Sequence, residues 1–174
     1  MPHAELAHLP IAPLDFNTWY RIQPAALPDL SLDVINDGTQ LTAGNIQLAA
    51  TGDFSGQHWR IRPSATHPGY FSLVTMWLGP VRALDVYADE ATLPRLAETG
   101  DQVAGQQWQL IGQGGDVWRL TNMYSGPDSM FLDVMGDRRG VVMSEARRET
   151  QRWRLVRIRE IGDGEGEEGT IRME

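Results

Sequence analysis

The sequence predicts an all-β chain made of one four-strand unit built three times. The first observation behind this is a pair of coupled tripeptides. Gln-x-Trp occurs as Gln57-His58-Trp59, Gln106-Gln107-Trp108 and Gln151-Arg152-Trp153, each preceded by Leu-Asp-Val at 32–34, 84–86 and 132–134. Successive tryptophans lie 49 and 45 residues apart and successive aspartates 52 and 48. Two landmarks in fixed order at that period mark a repeated supersecondary unit. The second observation is a period of two. In Trp59-Arg60-Ile61 and Trp153-Arg154-Leu155 apolar and charged residues swap faces at every step, as in half-buried strands. The third is turn chemistry. Gly, Pro, Asn and Asp fall between these segments about every ten residues.

Unit one runs from Trp19 to Arg62. It opens on Tyr20-Arg21-Ile22, passes Leu32-Asp33-Val34 and Ile46-Gln47-Leu48, and closes on Trp59-Arg60-Ile61. Asn36-Asp37-Gly38 and Thr51-Gly52-Asp53 supply its turns. Unit two runs from Tyr70 to Ile111, with Tyr70-Phe71-Ser72-Leu73, Leu84-Asp85-Val86, Arg95-Leu96-Ala97 and Trp108-Gln109-Leu110. Unit three runs from Val117 to Ile158, with Trp118-Arg119-Leu120, Leu132-Asp133-Val134, Val141-Val142-Met143 and Trp153-Arg154-Leu155. Gly112-Gln-Gly-Gly-Asp116 and Ser125-Gly-Pro-Asp128 are its turns, and six prolines between Pro24 and Pro94 would break any long helix.

Composition bounds the rest. A chain of 174 residues is one domain with a sizeable core. Cys is absent, which excludes disulfides, thiolate chemistry and a Cys-based zinc site. The start, Met1-Pro-His-Ala-Glu-Leu, has no basic stretch followed by an apolar core, so neither a signal peptide nor membrane insertion is expected, and the default location is cytoplasmic. A net charge of −8 argues against nonspecific binding to nucleic acid. Lys is absent, and Arg147, Arg148, Arg152, Arg154, Arg157 and Arg159 crowd the last unit. They read as a solvated stripe opposite Trp153 and Leu155, with a phosphate or sulfate site as the alternative. The tail after Glu160 is acidic and glycine-rich, and disorder is expected for 161–174. Its likeness to a calcium loop starting at Asp163 fails because Glu168 stands where that loop needs glycine.

Three repeats of apolar-Asp-Val followed by Gln-x-Trp resemble the ricin B-type lectin family, over about 140 residues. The resemblance implies a β-trefoil: six strands in a short barrel and six in three hairpins capping one end. It places the domain at 18–160, after an extension over 1–17. It also implies buried tryptophans and glutamines engaged in holding each repeat. His58 would then face solvent, opposite Trp59.

For function, the resemblance implies that each active repeat uses its Asp to accept hydrogen bonds from two vicinal sugar hydroxyls. A ring stacks on the sugar's apolar face, and an Asn adds a polar contact. Asp33, Asp85 and Asp133 are present, but Ala49, Glu98 and Ser144 stand near the place of the ring. Gly56, Gly105 and Thr150 replace the Asn before Gln-x-Trp. Repeat one would use Asp33, Asn36, Asn45 and Phe54; repeat two, Asp85 with Trp77 and Tyr87; repeat three, Asp133 with Tyr124. Repeats one and two are favoured, because repeat three is shorter between its Asp and its Gln. Rings packed under loops and carboxylates capping their own backbone are the competing structural roles.

Catalysis is not expected. His3, His8, His58 and His67 have no metal-ligand spacing, and no nucleophile–base grouping is apparent, so neither metal nor cofactor is assigned. Two functions remain: a glycan-binding module with shallow sites, and a trefoil that has lost its sugar sites and docks another protein.

Overall fold

The computed structural model describes residues 12–35, 44–86, 92–100, 103–127, 129–145 and 147–165. Twelve strands follow in three sets of four among these residues. Repeat one holds β1 (Thr18–Pro24), β2 (Leu30–Val34), β3 (Ile46–Ala50) and β4 (Trp59–Pro63). Repeat two holds β5 (Phe71–Thr75), β6 (Arg82–Val86), β7 (Pro94–Glu98) and β8 (Trp108–Gly114). Repeat three holds β9 (Val117–Asn122), β10 (Phe131–Val134), β11 (Val141–Ser144) and β12 (Trp153–Glu160).

First and last strands of the repeats alternate in a ring, β12-β1-β4-β5-β8-β9, and the β8–β9 pairing closes it into a six-stranded antiparallel barrel. Closure removes free barrel edges. The middle strands form three hairpins, β2–β3, β6–β7 and β10–β11, and the whole is a β-trefoil. Every last strand therefore pairs with the first strand of the following repeat, which decides which loops border each site.

The tripeptides explain one another physically. Trp59, Trp108 and Trp153 are fully buried, and their indole N–H groups donate to the carbonyls of Leu32, Leu84 and Leu132 at 3.0, 2.9 and 2.9 Å. Those carbonyls are open because each leucine faces its hairpin partner, Leu48, Leu96 or Met143, in a pair whose backbone groups point outward. The partners' N–H groups go instead to the neighbouring repeat. Leu48 donates to Arg139, Leu96 to Gly44 and Met143 to Thr92, each at 2.7 Å. These three bonds run head to tail around the pseudo-threefold axis and tie the hairpins into one cap.

Each glutamine ends a 3-10 turn, Ser55–Gln57, Ala104–Gln106 or Glu149–Gln151. Its amide donates to the end of the third strand (Ala50, Glu98 or Ser144 carbonyl). Its oxygen accepts from the N–H of Gly52, Gly100 or Arg148. One buried side chain thus satisfies backbone groups on both sides of a loop.

Two expectations change. His58 is buried, because it caps the 3-10 turn rather than extending the strand, so strand alternation does not reach it. Its Nδ1 donates to the Phe54 carbonyl at 2.7 Å, its Nε2 lies 3.3 Å from Asp53, and its ring meets Trp19 edge-on. The start of the tail is also engaged. Ile161 N–H donates to Asn17, and the Glu165 carboxylate accepts from Arg159 and from the indole of Trp19. Residues 12–17 lie against the barrel through Ala12–Gly115, Asp15–Arg157 and Phe16–Phe71 contacts.

Candidate functional site

A cleft of about 380 Å³ opens at the end of β2 in repeat one, lined by Asp33, Gln47, Ala49, Phe54, Gln57 and Trp77 among others. Asp33 is half-buried on its floor. Gln47, directly across the hairpin, donates its amide to Asp33 Oδ2 at 3.3 Å. Burial raises the pKa of Asp33, opposed by hydrogen bonds from Gln47, the Val34 N–H and Gln57. The turn at Ser55–Gln57 comes so close that a Cβ on Gly56 would lie 2.9 Å from Asp33 Oδ1 and 3.1 Å from the Val34 carbonyl. Glycine lets the turn close over the carboxylate, and a side chain here would have to displace it.

Two rings flank this floor. Phe54 lines the cleft and is 53% exposed. Trp77 lines the same cleft, half-buried, its backbone N–H donating to the Ser55 carbonyl at 3.3 Å while the Met76 N–H donates to the His58 carbonyl. Here the sequence reading is corrected. Trp77 follows the first strand of repeat two and was expected beside Asp85; it lines the cleft of Asp33. The cause is the ring order of the barrel: β4 pairs with β5, so the loop after β5 reaches the Gln-x-Trp turn of the preceding repeat. Tyr124 is displaced likewise. It is 48% exposed beside the turn of repeat two, where Asn122 Nδ2 donates to Gly105 and Met123 N–H to Gln107. Ala26 takes the same place in repeat three, on a second cleft of about 410 Å³ with Leu27, Met135, Arg138, Arg148 and Thr150.

The other two aspartates are enclosed. Asp85 is 4% exposed; its Oδ2 accepts from Gln106 at 3.2 Å, and its Oδ1 is buried with no hydrogen-bond partner among the described residues. Burial raises its pKa, against Gln106, the Val86 N–H and the charge of Arg95. Asp133 is 1% exposed, and its Oδ1 accepts from the Val134 N–H at 2.8 Å and from the Thr150 hydroxyl. Thr150, at the place of Gly56, thus engages the carboxylate that Asp33 leaves partly open. Asn45 gives its carbonyl to the Ile35 N–H and does not line the cleft of repeat one. Asn36 and Tyr87 lie outside the described residues. Gln47 was missed by sequence reasoning, although its place directly opposite Asp33 in the hairpin follows from the register of the two strands. No three His, Asp or Glu side chains converge as metal ligands among the described residues.

Neither a protein-family profile nor a curated protein sequence matches the chain. Solved structures do. The designed threefold-symmetric protein ThreeFoil is 22% identical, with a TM-score of 0.62 over 80% of this chain and 99% of its own. SeviL, solved bound to asialo-GM1 saccharide, is 16% identical at a TM-score of 0.59, covering 79% and 95%. The BEL β-trefoil is 10% identical at 0.59, covering 88% and 99%. At these identities the likeness is one of fold, and by it the chain is a β-trefoil.

Proposed function

We propose that the chain is a carbohydrate-binding module of the ricin B type whose working site is the repeat-one cleft. The observation that carries this reading is the convergence of Asp33, Phe54 and Trp77 on one open cleft. The Asp33 carboxylate would accept two vicinal hydroxyls, Gln47 would hold it in place, and the sugar's C–H face would lie on Trp77 with Phe54 as a further apolar contact. A saccharide complex of another β-trefoil, SeviL, supports the assignment. Binding, not catalysis, is the proposed activity.

One shallow site exchanges sugar–water hydrogen bonds for protein ones at little net gain. A monosaccharide should bind near millimolar, about −4 kcal/mol, and a polymeric or branched glycan more strongly through repeated contacts. A glycan array followed by retention on the immobilised ligand tests this, with Asp33→Ala and Trp77→Ala as controls. The burial of Asp85 and Asp133 favours a second reading, a protein-docking trefoil that has lost its sugar sites. Retention of a protein partner unaffected by both substitutions would select it.

A further inference from the structure

Repeat three differs from repeat one in charge at equivalent positions, and the difference points to a ligand. In repeat one, Tyr20 faces Trp59, so the register sets Arg21 across from His58. The His58 Nε2 lies 3.3 Å from the Asp53 carboxylate, four residues before Gln57. In repeat three, Trp118 faces Trp153 and Val117 faces Arg154; the residues on the other side of the tryptophan pair are Arg119 and Arg152, close enough that the charge of Arg152 acts on Arg119. The position four residues before Gln151, the counterpart of Asp53, is Arg147. Where repeat one places the Asp53 carboxylate beside His58, repeat three places a third guanidinium. Directly opposed like charges are unfavourable unless something neutralises them.

The local geometry fits an anion. The Arg119 guanidinium lies over the Phe131 ring, Cζ 5.5 Å from the centroid, which fixes its plane. The Nε atoms of Arg119 and Arg152, like that of Arg21 in repeat one, are buried with no hydrogen-bond partner among the described residues, so what is particular to repeat three is the charge of the partly exposed Arg152 and the exposed Arg147 where repeat one has His58 and Asp53. Burial and the charges of Arg152 and Arg147 lower the pKa of Arg119; Glu149 opposes them. Three guanidiniums against one carboxylate in this neighbourhood leave a local positive excess on a chain of net charge −8.

We propose that Arg119, Arg147 and Arg152 form an anion site that takes an oxyanion substituent, sulfate or carboxylate, of an acidic glycan. The group would occupy the place of the Asp53 carboxylate, where the planar forks of arginine match its oxygens. The anion site stands on its own observations; only the glycan as its source rests on the function proposed above. The net negative charge disfavours a nucleic-acid polyanion and leaves a single substituent as the fitting ligand.

The test replaces sodium chloride by sodium sulfate at constant ionic strength and follows the arginine Nε–H resonances by NMR. Those of Arg119 and Arg152 should move and saturate. Arg147→Asp, which recreates the charge pattern of repeat one, should weaken sulfate binding at least about tenfold. Arg62→Asp, an equal charge change at an exposed site on β4, should leave it unchanged. A general salt effect would act alike on wild type and Arg147→Asp, and that outcome overturns the site. Beads of dextran, carboxymethyl dextran and dextran sulfate then identify the source. The wild type and Asp33→Ala should be held on one or both charged matrices, with the stronger matrix naming carboxylate or sulfate, and Arg147→Asp should be released. Equal retention of Arg147→Asp overturns the acidic-glycan assignment, whereas loss of neutral-glycan binding in Asp33→Ala reports only on the repeat-one cleft.

Discussion

Replacing Trp153 by Phe isolates the interaction that couples the two tripeptides of a repeat. The substitution keeps a buried aromatic ring but removes the N–H that donates to the Leu132 carbonyl at 2.9 Å. That carbonyl has no hairpin partner to turn to, because Met143, opposite it, gives its N–H to Thr92. Leaving a buried acceptor unsatisfied costs about 1–3 kcal/mol. The smaller ring adds about 1 kcal/mol of lost packing, well below the 3–5 kcal/mol of truncation to Ala. The expected destabilisation is therefore roughly 2–4 kcal/mol, or about 4–16 °C in Tm for a chain of this size. Urea unfolding followed by far-UV circular dichroism measures it, with an unchanged m-value showing that the two-state transition survives. Trp59→Phe and Trp108→Phe should cost about the same, since their bonds to Leu32 and Leu84 are equivalent. A cost below about 1 kcal/mol in all three would refute the claim that the indole N–H couples Gln-x-Trp to Leu-Asp-Val.

Gly105→Ala should be among the most damaging single substitutions, above about 3 kcal/mol by thermal unfolding, because the new Cβ would lie 2.1 Å from the Val86 carbonyl and 2.2 Å from Asp85 Oδ1. Asp85→Asn should be neutral or stabilising near pH 7. Burial raises the folded-state pKa of Asp85, so its ionised form is disfavoured on folding; that penalty is absent at low pH and sets in as pH rises through the raised pKa. Urea unfolding across that range should show the wild type losing this increment and Asp85→Asn lacking it. Glycan binding should depend on pH in the opposite sense, since Asp33 accepts hydroxyls best when ionised. Retention should fall as pH drops through the raised pKa of Asp33, beginning at a higher pH than for an ordinary carboxylate.

The fold was legible because both tripeptides are structural. The Trp residues fill the core and the Gln side chains satisfy backbone groups, and such requirements impose the same residue three times. The site was less legible because it is assembled across repeats. Trp77 stands close to Asp85 in sequence but lines the cleft of Asp33, since barrel pairing brings β5 beside β4. The three Leu-Asp-Val aspartates look equivalent in the chain, yet their fates diverge through single neighbours. Thr150 donates to Asp133, Gln106 to Asp85, and Gln47 to an Asp33 that stays half-open. His58 was misread because strand alternation was extended one residue into a turn.

The proposed glycan site is that of repeat one, which alone of the three pairs a half-open carboxylate with rings from two repeats in one cleft. Retention on the glycan ligand selected by array tests it most directly, with Asp33→Ala, Trp77→Ala, Tyr124→Ala and Asp133→Ala compared at matched stability. Asp33→Ala and Trp77→Ala should each weaken retention about tenfold or more, and Tyr124→Ala and Asp133→Ala should leave it near wild type. Loss of binding in Tyr124→Ala, with Trp77→Ala unaffected, would contradict it.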